Sequence, residues 1–165
     1  MSGACENSLF CPRMRLMDVV NLDLAPSFIT KDGSEIRELL AYRNSAIRYQ
    51  SLAEARLPAG GATQEHYHVK TEEIYYITHG RGRIKIEGAT REVGPGDAIA
   101  IPPGQRHQLW NIGEDILRVL CCCAPPYEHD DTVMTEVGEL SNGHGDESTT
   151  ENTESTEKAR KNRRS

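Results

Sequence analysis

The chain has 165 residues, a formal net charge of -6 and a pI near 5.5. That length suits one domain with a substantial core and is short for two, while the acidic balance argues against a nucleic-acid or membrane-surface binder, which would be expected to show a basic patch or stripe. No stretch approaches the roughly 18 consecutive apolar residues of a membrane span, and the N-terminus lacks the basic start and apolar run of a signal peptide, so a cytoplasmic protein is expected.

In chain order, residues 1–13 (MSGACENSLFCPR) read as an unanchored flexible tail, with Met14 and Met17 as alternative starts. Residues 14–137 then read as one all-β domain. Short runs with period-two or continuous apolar character recur between clusters of Gly, Pro, Asn and Asp, and they predict strands over 36–41, 50–57, 63–69, 73–78, 83–87, 90–93, 98–101, 107–111 and 116–123. The turns 80–82, 87–88, 94–97, 102–104 and 111–113 supply glycine for positive φ or proline to fix it. Many short, evenly spaced strands make a sandwich or a barrel. Residues 138–165 contain one strong hydrophobe, Leu140, among Ser, Thr, Asn, Gly and charges, and are expected to be a disordered tail ending in a solvated basic stretch, 158–164.

Cys5, Cys11, Cys121, Cys122 and Cys123 show no disulfide or zinc-knuckle spacing and read as reduced thiols, the triplet packing as small core hydrophobes. Along residues 73–77, alternation puts Glu73, Tyr75 and Ile77 on one side and Ile74 and Tyr76 on the other. Both sides are largely apolar. A strand covered on two faces implies that another segment or another subunit packs on the outer one, so a homodimer is expected.

The chemistry concentrates in His66-Tyr67-His68 and His107. Residues two apart in a strand share a face roughly 7 Å apart, close enough for two imidazoles to converge on one ion. Glu73 follows after four residues, enough to bring a carboxylate to the same centre, and His107 reaches it only if the chain folds back as a barrel.

Spacing then carries a resemblance. Gly60, five residues, His66-Tyr67-His68, four residues, Glu73, six residues and Gly80 match the first motif of the cupin superfamily; Gly96, five residues, Pro102, one residue, Gly104, two residues, His107, three residues and Asn111 match the second. All ten positions are present, over residues 60–111. The chain thus resembles a single-domain cupin, similar to mannose-6-phosphate isomerase-like cupins. The resemblance implies a double-stranded β-helix (jelly-roll) barrel with one metal ion on His66, His68, Glu73 and His107. Glu72 competes with Glu73, because a three-residue gap also occurs in the family; the six residues before Gly80 select Glu73. His79, His129 and His144 match no motif and read as loop or tail residues, and Asn111 as a turn-closing hydrogen bonder.

Three neutral imidazoles and a carboxylate suit one divalent first-row transition metal, Fe, Mn, Ni, Zn or Cu. Four protein ligands on an octahedral ion leave two adjacent positions for a small-molecule substrate. The expected function is a metal-dependent enzyme acting on a small oxygen-rich organic compound as an oxygenase, decarboxylase or isomerase. The alternative is a non-catalytic cupin that binds or senses a sugar or organic acid. By parity Gln64, Tyr75 and Leu109 stand near the ion, and Arg56, Arg106 and Arg118 are the candidates for a phosphate contact if they point inward.

Overall fold

A computed structural model describes residues 17–135; the expected tails 1–13 and 138–165, with Cys5, Cys11 and His144, lie outside the described residues. In chain order the strands are β1 (Ser27–Ile29), β2 (Glu35–Leu40), β3 (Ser51–Leu57), β4 (His66–His68), β5 (Glu72–His79), β6 (Gly82–Ile86), β7 (Ala89–Val93), β8 (Ala98–Ile101), β9 (His107–Asn111), β10 (Leu117–Ala124) and β11 (Thr132–Met134). The only helical pieces among the described residues are two three-residue 3-10 turns, Leu22–Leu24 and His129–Asp131. None is long and apolar enough to cross a membrane.

All pairings are antiparallel and build two sheets, ordered β1-β2-β3-β10-β5-β8 and β11-β4-β9-β6-β7. Eight strands follow the sequence reading to within a residue or two at each end. The strand expected over 63–69 is shorter. Only His66–His68 pair regularly, because Thr63 N–H donates to Leu109 O (2.9 Å) and Gln64 N–H to Asp32 O (2.7 Å), outside the β4 ladder. The β6–β7 hairpin turns through Glu87 (φ 47°) and Gly88 (φ 85°), the positive-φ pair that a two-residue turn needs to match strand twist. Gly80 (φ 84°) is also dictated by contact: a Cβ there would lie 2.8 Å from Ile116 O and 2.9 Å from Leu117 Cα.

Alternation does the rest. On β5, Glu73, Tyr75 and Ile77 are buried while Glu72, Ile74, Tyr76 and Thr78 are exposed. On β10, Leu117, Val119, Cys121 and Cys123 are buried. Register stacks these side chains in layers: Glu73 beside Cys123, Tyr75 beside Cys121, Ile77 beside Val119. In the second sheet His107 sits opposite Ile86, and Leu109 opposite Ile84. The interior is therefore graded along the barrel. Ile77, Leu109, Leu117 and Val119 are fully buried at one end, and the polar layer of histidines and Glu73 lies at the other. Cys121 and Cys123 pack in the interior as expected, whereas Cys122 points to the opposite face and is half-buried.

Candidate metal centre

His66 and His68 come from the ends of β4, His107 from the start of β9 directly opposite His66, and Glu73 from β5 in the other sheet. The site thus exists only when both sheets close on each other. All four residues are buried, and one ligand atom from each lies within 4.8 Å of every other. The ring centroids of His66 and His107 are 4.2 Å apart, those of His66 and His68 5.3 Å, and those of His68 and His107 5.7 Å. Glu72, the competing carboxylate, is exposed.

Hydrogen bonds fix how the imidazoles present themselves. His66 Nδ1 lies 2.8 Å from Gln64 O and His107 Nδ1 2.9 Å from Gln105 O; a carbonyl only accepts, so each Nδ1 carries the proton and donates. His68 Nδ1 lies 3.2 Å from Thr132 Oγ1, whose own hydroxyl donates to Glu128 O at 3.3 Å, so the threonine oxygen accepts from the ring. Every Nε2 is thereby left with a lone pair for the centre, the arrangement by which outer partners set the tautomer of a ligating histidine.

Glu73 is held from behind by Cys123, whose thiol donates to Oε1 (3.4 Å). Its Oε2 lies 3.3 Å from His68 Nε2 and 3.5 Å from His107 Nε2, yet neither Glu73 Oε2 nor His107 Nε2 makes a hydrogen bond of good geometry. Buried polar atoms without partners are rare and point to something that completes them. Burial pushes the Glu73 carboxyl up, but His107 and His68 override it and hold it at about 2. His66 is held below the ordinary histidine range, first by burial and then by the neighbouring His107. Burial acts the same way on His107, but the Glu73 carboxylate outweighs it and raises that ring. The donor set, three nitrogens and a carboxylate oxygen with orphaned atoms aimed inward, fits a divalent transition metal.

Around the centre lies a cavity of about 50 Å³ measured for the centres of water-sized occupants. At roughly 10–15 Å³ per water on that measure, it has room for a few waters or a small group of a larger ligand. Tyr75 and Leu109 line it, as strand parity predicts. Gln64 does not: its side chain is exposed because residue 64 lies outside β4 and parity does not extend to it, and Thr63 faces the cavity instead. The three arginines also point elsewhere. Arg56 pairs with Glu54 at 2.6 Å, Arg106 is exposed beside Glu87, and Arg118 lines an outer groove with Leu22 and Glu54. Asn111 closes its turn as expected, its Nδ2 donating to Leu57 O and Asp115 O while Gly113 N–H donates to Oδ1.

The sequence reading missed Asp32, Cys123, Tyr127 and Thr132, which also face the cavity. Only Cys123 carried a usable signal, its same-face relation to Cys121.

A family model described as "Cupin domain" matches residues 53–123. The chain is 48% identical over 114 residues to protein MJ1618 of Methanocaldococcus jannaschii, covering 69% of this chain and 91% of that protein. The chain belongs to the cupin family. This cupin is also 27% identical over 113 residues to the polyketide synthase protein CurC of Streptomyces cyaneus, covering 68% and 71% of the two chains. Among solved structures it is similar to a predicted oxalate decarboxylase from Thermotoga maritima, with a TM-score of 0.58 and 26% identity over 65% of this chain and 98% of that one.

Proposed function

We propose that this cupin is a metal-dependent enzyme that binds one divalent first-row ion through His66, His68, Glu73 and His107 and acts on a small oxygen-rich organic substrate. The observation that carries the reading is the convergence of four buried donor atoms whose tautomers and orientation are already set by Gln64, Gln105, Thr132 and Cys123. When bound, such an ion supplies Lewis acidity to the substrate oxygens. The chain's own part is to hold three Nε2 lone pairs toward the centre, to keep Glu73 anionic, and to limit water with the apolar wall of Leu57, Leu109 and Val119. The names of CurC and of the Thermotoga maritima protein support a substrate rich in keto, enol or carboxyl oxygens.

Elemental analysis of the purified protein, and after chelation and reloading, tests the reading. About one first-row metal per chain in the wild type and none in His66→Ala is the expected result; a folded wild type that takes up no such metal overturns it. The same reading places the barrel over residues 14–137 of a cytoplasmic homodimer. Ile74 (48% exposed) and Tyr76 (43%) on the outer face of β5, next to Cys122 and Leu120 of β10, support that pairing.

A further inference from the structure

The cavity walls define what kind of molecule fits beside the ion. Two carboxylates face it from within, Glu73 and Asp32, and both are buried. Asp32 is locked in the β1–β2 turn, its Oδ1 accepting from Thr30 Oγ1 (2.6 Å), Ser34 Oγ (2.8 Å) and Ser34 N–H (3.2 Å). A third, Glu38, stands at the mouth and is neutralised by Arg43 at 2.7 Å. Among the described residues, no lysine or arginine lines the cavity. A divalent ion on the four ligands is therefore balanced by Glu73 and Asp32 before any substrate arrives. An entering dianion or phosphate ester brings negative charge into a buried space with no cation left to receive it, which is strongly unfavourable.

Tyr127 offers the wall a polar group. The Tyr127 hydroxyl is buried near Thr132 without a hydrogen bond of good geometry, and its ring stands edge-on to His68 with centroids 6.0 Å apart. Tyr127 is fixed from behind by its own N–H, which donates to Ser51 Oγ (3.0 Å). A phenol so placed is a hydrogen-bond donor awaiting a ligand oxygen. Ile36, Ala55, Leu57, Leu109 and Val119 supply an apolar stretch of the wall, beside the hydroxyls of Ser51 and Thr63.

From these features, and resting on the metal-dependent reading above, we propose that the substrate is an uncharged 1,3-dicarbonyl compound or its enol. Its two oxygens face the metal centre, one of them accepts a hydrogen bond from Tyr127, and its hydrocarbon body lies along the apolar wall. Oxalate-like dianions and phosphorylated sugars are disfavoured.

The test uses the full-length protein loaded with cobalt(II), with acetylacetone and oxalate as probes, followed by calorimetry and by the visible absorption of the cobalt. Acetylacetone is expected to bind at least about tenfold more tightly than oxalate. Asp32→Asn, which keeps the Oδ1 acceptor and removes the charge, is expected to narrow that gap by tightening oxalate. Tyr127→Phe is expected to weaken acetylacetone at least about threefold while leaving cobalt affinity unchanged. Oxalate binding as tightly as acetylacetone or more so, or binding of neither probe to the cobalt-loaded protein, overturns the substrate class. An unchanged acetylacetone affinity in Tyr127→Phe overturns the role of that hydroxyl. Failure to take up cobalt at all refutes the metal reading itself, a result separable from these because cobalt content is measured first.

Discussion

Replacing Thr132 by valine tests whether the metal centre depends on the tautomer of His68. The side chain is 2% exposed and nearly isosteric with valine, so packing is retained while one hydroxyl is lost. That hydroxyl accepts from His68 Nδ1 at 3.2 Å and donates to Glu128 O at 3.3 Å. In the valine variant His68 must either bury an unpaired Nδ1–H, at about 1–3 kcal/mol, or move the proton to Nε2, where it blocks ligation. Outer partners of this kind change metal affinity by about 10–100-fold, or about 1.4–2.7 kcal/mol at roughly 1.4 kcal/mol per factor of ten. Competition titration against a chromophoric chelator measures the shift directly. Thr132→Ser, which keeps the hydroxyl, is expected to bind metal within about threefold of wild type, a small fraction of the 10–100-fold range. A valine variant with wild-type metal affinity refutes the argument that Thr132 sets the ring.

Four further outcomes are expected. Glu73→Gln preserves shape but removes the anion, so metal content on elemental analysis falls well below one per chain while the circular dichroism of the barrel is retained. Metal is lost as pH falls, because bound imidazoles must be unprotonated. Glu73, held at about 2 despite its burial, stays anionic across that range, so the displacing protons go to the rings, first to His107, which Glu73 raises against burial, and later to His66, which burial and His107 lower. A pH titration of bound metal therefore shows retention above the histidine range and release below it, and release on raising the pH from neutrality contradicts the scheme. Gly80→Ala combines a φ of 84° with a Cβ 2.8 Å from Ile116 O and is expected to lower the urea midpoint by the equivalent of at least about 1–2 kcal/mol. If the outer face pairs two copies as proposed, light scattering is expected to give a dimer for the wild type and a monomer for Ile74→Glu, with metal content unchanged.

The long strands were legible because alternation and glycine or proline punctuation agree over five or more residues. Residues 73–78 and 107–111 are the clearest cases, and there parity also placed Tyr75 and Leu109 correctly. The four residues of the candidate site were legible because the motif spacing is strict, and the structure brings them together. Two elements escaped for a physical reason. β1 and β11 are three residues long, too short to show a period, and they are defined by their partners: Thr132 pairs with His68 and Met134 with His66. The same brevity hid Thr132. Asp32 sits in a turn readable as a turn, but which way its carboxylate faces is set by Ser34 and Thr30 folding over it. Gln64 failed for the converse reason: parity was extended past the point where the chain stops pairing as a strand. The arginines were left conditional on parity, and the register places Arg56 and Arg118 opposite each other on the outer face.

Strand β10 runs the length of the interior like a graduated scale. Cys123 touches a carboxylate of the metal centre, Cys121 faces the cavity, Val119 closes the wall, and Leu117 is wholly enclosed in the apolar end. Each step of two residues moves a substitution from ligand orientation to substrate shape to bare stability. Leu117, Val119, Cys121 and Tyr75 belong to one packed core, so a change made at the polar end for a different reaction reaches the apolar end that folds the barrel only through that packing.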